Sequence, residues 1–272
     1  MPYLAARPHD RPAATILGAP YDATATHRRG AEAAPAAIRW ASDSIETYSA
    51  AQGLDLEDLA VADAGDLDLA GLDAQAAVVR VADAISGLAG LPCLLGGEHT
   101  VTAGAVTALA ARHPDLHVLA LDAHLDLRDR YAGERWSHAT TFRRVGERIG
   151  LDRIVILGAR SGAREEWAAA SALKYWGRTG ALPTPVWQAM ASHPVYLSVD
   201  IDAFDPSLAP GTGNPEPLGL SADDFLTLLS VLREGHVVGC DIVEVSPPFD
   251  PTGQTAVLAA WLVREMLLAF SR

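Results

Sequence analysis

Short apolar runs alternate along the chain with longer, Ala-rich amphipathic stretches. Seven runs read as strands: AATILG (13–18), LAVAD (59–63), LPCLLGG (91–97), LHVLALD (116–122), RIVILGAR (153–160), PVYLSVDID (194–202) and HVVGCDIVEV (236–245). Several are continuously apolar, the pattern of strands covered on both faces. Between them, 33–51, 72–89, 101–112, 139–149, 163–175, 221–234 and 254–270 read as helices. Strict alternation of β and α predicts an α/β fold with a mostly parallel sheet and helices on both sides. The segments 174–185 and 207–221 read as loops, the second from its Pro and Gly content. No linker, repeat or charge block divides the chain, so one domain over 1–272 is expected.

The polar residues that break this pattern cluster where the strands end. DAHLD (122–126) follows one run, and Asp200 and Asp202 close another. GGEHT (96–100) ends a third, and Glu244 ends the last. Ligands of open parallel sheets bind beyond the carboxyl ends of the strands. In an extended chain, residues i, i+2 and i+4 face one side, so Asp122, His124 and Asp126 are expected to point together.

His99, Asp122, His124, Asp126, Asp200 and Asp202 make four carboxylates and two imidazoles without cysteine. That set disfavours a closed structural zinc site. It suits two divalent ions, manganese(II) first, with iron, cobalt or nickel as substitutes. Four carboxylates match four positive charges. Two of them bridging would hold the ions ~3.5–4 Å apart and make a nucleophile of a trapped water near neutral pH.

Composition narrows the class further. A net charge of −13 argues against nucleic-acid binding and is compatible with a cationic substrate. Cys93 and Cys240, the two cysteines, lie in apolar runs and read as reduced core thiols. With neither a signal-peptide pattern nor an apolar run of spanning length, the expected setting is cytoplasmic, away from a membrane.

Two further residues admit two readings each. His138, in GERWSHATTFRR, is either a structural residue at a helix start or a proton shuttle beside the ligands. Glu244 is either salt-bridged locally or faces the site, where a planar guanidinium would pair with it in a bidentate way. His27 is a weaker candidate for the mouth of the site. His9, His113, His117, His193 and His236 read as surface or turn residues. Arg160 or Arg128 would be the phosphate-binding groups if this were a two-metal phosphoesterase.

GGEHT, DAHLDL, SVDIDAFDPSLAPGTGNPEP and DIVEVSPP, in that order, resemble the signature segments of the ureohydrolase (arginase/agmatinase) family. The resemblance runs from GAPYDATATHRRGAEAAPAAIR to the final helix. YAGERWSHATTFRR lacks the Ser-Gly-Asn pattern of arginases and looks like compact bacterial and archaeal agmatinases.

The resemblance implies a three-layer α/β/α fold around an eight-stranded parallel sheet, two Mn2+ per chain, and a homo-oligomer, trimer or hexamer. Carried over by motif, His99, Asp122, Asp126 and Asp200 serve one ion. Asp122, His124, Asp200 and Asp202 serve the other. His138 matches the shuttle and Glu244 the guanidinium-binding carboxylate. The implied reaction is hydrolysis of a small cationic guanidino compound, agmatine first, to urea and an amine, with proton transfer through His138 and Asp126. Other guanidino acids or a formimino compound are the alternative. Thr100 stands for the family's usual Ser, Asn214 for Thr and Leu218 for Gly. The last two place tail specificity in the 207–221 loop, with the 22–30 loop or Trp136 as the other readers.

Overall fold

The computed structural model describes residues 1–271. Its ten strands are β1 (Ala14–Ala19), β2 (Tyr48–Ser49), β3 (Leu54–Asp55), β4 (Val61–Asp66), β5 (Leu91–Gly96), β6 (His117–Leu121), β7 (Ile154–Leu157), β8 (Tyr175–Gly177), β9 (Pro194–Asp200) and β10 (His236–Val243). The helices are α1 (Ala34–Ser42), α2 (Ala74–Gly87), α3 (Thr100–Arg112), α4 (Thr141–Ile149), α5 (Arg164–Ala169), α6 (Thr184–Gln188), α7 (Ala222–Leu232) and α8 (Gln254–Phe270). Eight strands form one sheet in the order β4-β1-β5-β10-β9-β6-β7-β8, and every pairing in it is parallel. The expected three-layer α/β/α architecture is therefore present.

The pleat sorts the core into two clusters. On β6, Leu119 and Leu121 face one side while Val118 and Ala120 face the other. On β7, Val155 and Leu157 oppose Ile154 and Ile156 in the same way. The first cluster is covered by α1, α6, α7 and α8, the second by α2, α3, α4 and α5. Both faces are dry, which is why the strands read as continuous apolar text. Cys93 and Cys240 are register partners on β5 and β10, free and buried.

Three expectations need correction. Residues 174–185 are not simply loop: Tyr175–Gly177 pairs with β7 as an edge strand, and Thr184–Gln188 is a short helix. Three residues are too few to show a hydrophobic period. The helix expected over 33–51 stops at Ser42, and the rest turns into the antiparallel β2–β3 pair. The alternation argument for DAHLD also fails, because β6 ends at Leu121 and Asp126 adopts left-handed backbone with φ of 48°. No helix among the described residues is long and apolar enough to cross a membrane.

Candidate metal centre

Strand register sets the first contacts. Leu121 pairs with Val199, and Val243 pairs with Asp200. Asp122, Asp200 and Glu244 therefore leave three adjacent strands at one level. Each aspartate then folds its own chain back: Asp122 Oδ1 accepts the His124 N–H at 2.6 Å, and Asp200 Oδ1 accepts the Asp202 N–H at 2.8 Å. These matching Asx turns are what the two Asp-rich stretches share. They turn His124 back beside Asp202, with Nδ1 2.9 Å from Asp202 Oδ2.

His99 reaches the same point from the loop after β5. GGEHT has a steric reason for its second glycine: a Cβ on Gly97 would lie 1.9 Å from the Tyr21 carbonyl oxygen. Only glycine lets this loop pass against the one after β1. His99 Nδ1 then sits 3.2 Å from Asp122 Oδ2 and 3.3 Å from both Asp126 Oδ2 and Asp200 Oδ2.

The other nitrogen of His99 settles its tautomer. Nε2 is 3.1 Å from Ser198 Oγ, and Ser198 gives its single proton to Asp241 Oδ1 at 2.7 Å. Asp241 is fully buried and also accepts from Thr102 and Tyr196, each at 2.7 Å. Ser198 must then accept from His99 Nε2–H, which leaves a lone pair on Nδ1 facing three carboxylates. Nδ1 and Asp122 Oδ2 are both buried without a hydrogen-bond partner. Such an arrangement wants a cation, so the donor set fits a metal.

Among the described residues, two groups of side chains are placed so that they could hold an ion: His99, Asp122 and Asp200, and Asp122, His124 and Asp202. Asp122 is common to both. Asp126 lies outside these groups but keeps its 3.3 Å approach to His99. Crowding perturbs the protein's own protonation. Burial, then the Asp126 charge, pushes Asp122 up to about 7. Burial disfavours charge on His124, but Asp202 and Asp122 outweigh it and raise the imidazole to about 11.

Around the cluster lies a cavity of about 300 Å³, lined among others by His124, Asp126, Arg128, His138, Asn214 and Glu244. Glu244 is 6% exposed, has φ of 64°, and accepts the His99 N–H at 2.7 Å. Burial, then the charge of Glu98, pushes its carboxyl up to about 8. A bound cation would supply the partner it lacks. His138 is 8% exposed, and burial, followed by the nearby His124 and His99, lowers it to about 4.

Other candidates fall elsewhere. His27 is exposed, and Trp136 packs against the second core cluster. Leu218 is 77% exposed with φ of 64° and is absent from the cavity lining. Arg160 spends its guanidinium on five carbonyl oxygens, those of Gly158, Asp202, Ala203, Glu216 and Pro217, and so clamps the loop carrying Asn214. It has no fork left for a phosphate. Asp241, Glu98 and Thr24 received no role from the sequence, since each acts through a neighbour brought close only by folding.

A family model described as "Arginase family" matches residues 12–269. The chain belongs to the arginase family. It is an agmatinase-like ureohydrolase, a hydrolase of C–N bonds in linear amidines. It is 38% identical over 263 residues to the agmatinase of Bacillus cereus, covering 94% of this chain and 91% of that one. It is 35% identical to the guanidinobutyrase of Pseudomonas aeruginosa, covering 93% of this chain and 85% of that one. Among solved structures, the agmatine ureohydrolase of Thermoplasma volcanium superposes with a TM-score of 0.88 at 33% identity, over 98% of this chain and 93% of that one.

Proposed function

We propose that this ureohydrolase, acting as a single domain, hydrolyses agmatine to urea and putrescine with two Mn2+ held by His99, Asp122, His124, Asp126, Asp200 and Asp202. The observation that carries the reading is the convergence of these six residues, of which His124, Asp126, Asp200 and Asp202 line the same cavity as the buried Glu244. When bound, the two ions supply a nucleophile at neutral pH and stabilise charge that develops during attack.

The protein's residues do the rest. Glu244 pairs with the planar guanidinium and holds it against the cluster. The low dielectric around a 6% exposed carboxylate strengthens that pairing. His138, neutral at rest, takes up a proton as water adds to the guanidinium carbon. It returns the proton, with Asp126, to the nitrogen that departs as the amine. The C–N bond then breaks and urea is left. The place of His138 in the cavity wall puts its ring within reach of a substrate held there.

A second reading concerns the tail. Arg128 lines the same cavity, its guanidinium 5.0 Å from the Tyr131 ring centre and its Nε 3.2 Å from Glu166. A cation there favours a carboxylate-tailed substrate such as guanidinobutyrate over a diamine precursor. Urea release from agmatine, arginine and guanidinobutyrate, with added manganese, separates the two. Agmatine as the best substrate supports the first reading. Preference for guanidinobutyrate replaces it with the second, and absence of urea from all three overturns both.

A further inference from the structure

His138 sits at the start of the helical turn before α4, and its ring is tied to a carboxylate two hydrogen bonds away. Glu98 is fully buried and accepts three hydrogen bonds: from Thr24 N–H at 2.8 Å, Thr24 Oγ1 at 2.5 Å and Thr100 Oγ1 at 2.6 Å. Thr24 Oγ1 is also 3.1 Å from the His138 backbone nitrogen and 3.3 Å from His138 Nδ1. A hydroxyl has one proton. That of Thr24 goes to Glu98, its shortest contact, so toward His138 the oxygen can only accept. Read as a hydrogen bond, the 3.3 Å ring contact is then Nδ1–H donating to Thr24 Oγ1. Ser137 Oγ, also 3.3 Å from Nδ1, can turn to accept as well.

We propose that Glu98 is a positioning residue that acts through Thr24: it fixes His138 as the Nδ1–H tautomer and leaves the Nε2 lone pair for the cavity. The inference rests on the reading of His138 as the proton carrier. It gives that reading a tautomer and a cause. Glu98 and Thr24 lie on the loops after β5 and β1, which the Gly97 contact locks together, so the relay is anchored to the sheet and not to the mobile end of a side chain. It also assigns a task to the hydroxyl at position 100. Thr100 Oγ1 also donates to Glu98 Oε1, and so helps hold the carboxylate in the orientation that meets Thr24.

The test uses the full-length, manganese-free protein for spectroscopy and the manganese-loaded protein for kinetics. Thr24→Val keeps the shape and removes the oxygen; Thr24→Ser restores it. Long-range 1H–15N spectra of the imidazoles, with His138 assigned from a His138→Asn variant, report the tautomer without any turnover. The expected result is an Nδ1–H pattern for His138 in the wild type, a mixed or Nε2–H pattern in Thr24→Val, and recovery in Thr24→Ser. Glu98→Gln, provided it folds, should behave as Thr24→Val does. In the kinetics, kcat of Thr24→Val should fall about 10–100-fold at unchanged KM and metal content, the scale for losing a group that orients a functional histidine. An unchanged tautomer in Thr24→Val overturns the proposal. So does a loss of kcat that Thr24→Ser does not rescue. If His138→Asn itself turns over at the wild-type rate, the proton-carrier reading fails, and the spectra still decide whether Glu98 and Thr24 set the ring.

Discussion

The hydroxyl of Ser198 stands 3.1 Å from Nε2 of His99, on the side of the ring turned away from the carboxylates of Asp122, Asp126 and Asp200. Because Ser198 donates to Asp241, it holds His99 with Nδ1 unprotonated. Ser198→Ala or Asp241→Asn should therefore lower manganese affinity by about 10–100-fold, the usual effect of removing a group that supports a metal-binding histidine. Titration calorimetry with Mn2+ on the metal-free protein measures this. Unaltered affinity in both variants would show that the ring needs no such support.

Asp122 and Asp200 emerge side by side because Leu121 pairs with Val199. Under the proposed two-ion site, changing either to Asn would remove one negative charge from between the dications. Bound metal should drop below two ions per chain and activity should vanish. Elemental analysis after dialysis checks it, and two tightly held ions in both variants would sink the bridging assignment.

His138→Asn should leave metal content intact, since His138 is outside both metal-capable groups. Turnover should fall ~10²–10⁴-fold, the range for a general acid or base. Wild-type rates on all three guanidino substrates would return His138 to a structural role at the start of its helical turn.

Asn214 and Leu218 should separate cleanly. Asn214 lines the cavity, so Asn214→Thr should alter the ranking of agmatine, guanidinobutyrate and arginine by kcat/KM. Leu218 is largely exposed in left-handed backbone, where a Cβ costs roughly 1–2 kcal/mol. Leu218→Gly should raise the urea midpoint and leave the ranking alone. A changed ranking in Leu218→Gly would put that side chain back in the specificity problem.

Arg39 forks onto Asp63, with Nε 2.7 Å from Oδ2 and NH2 2.9 Å from Oδ1, both side chains buried. Burial alone would raise the Asp63 carboxyl, but Arg39 and the N–H groups of Gly65 and Tyr3 hold it below its ordinary value. A depressed carboxylate stabilises the fold above its unfolded pKa, and the contribution disappears as pH falls through the folded pKa. Asp63→Asn should cost about 3–5 kcal/mol at pH 7 by leaving a buried guanidinium short of its partner. Urea unfolding at pH 7 and in acid should show the gap to wild type narrowing as pH falls; a constant gap would mean the loss is one of packing.

The sequence by itself determined the layer architecture and the chemical inventory of the site. Strands covered on both faces must be apolar throughout, so β1, β5, β6, β7, β9 and β10 could be read directly, and ligands at strand ends announce themselves as polar residues that interrupt such runs. Tertiary structure decided what depends on distance between segments remote in the chain. The three-residue β8 exists only because β7 offers it an edge. Asp122, His124 and Asp126 converge through an Asx turn and a left-handed residue, not through the strand alternation that their spacing suggested. Leu218 was placed beside the cavity by its loop, yet the Arg160 clamp on neighbouring carbonyls and its own backbone leave it in solvent. Glu98, Thr24 and Asp241 carry no local pattern that marks them. Each takes its role from a single hydroxyl proton whose direction is fixed by a partner at least 43 positions away, and hydrogen bonds of that range are written by the packing of strands and not by their spacing in the chain.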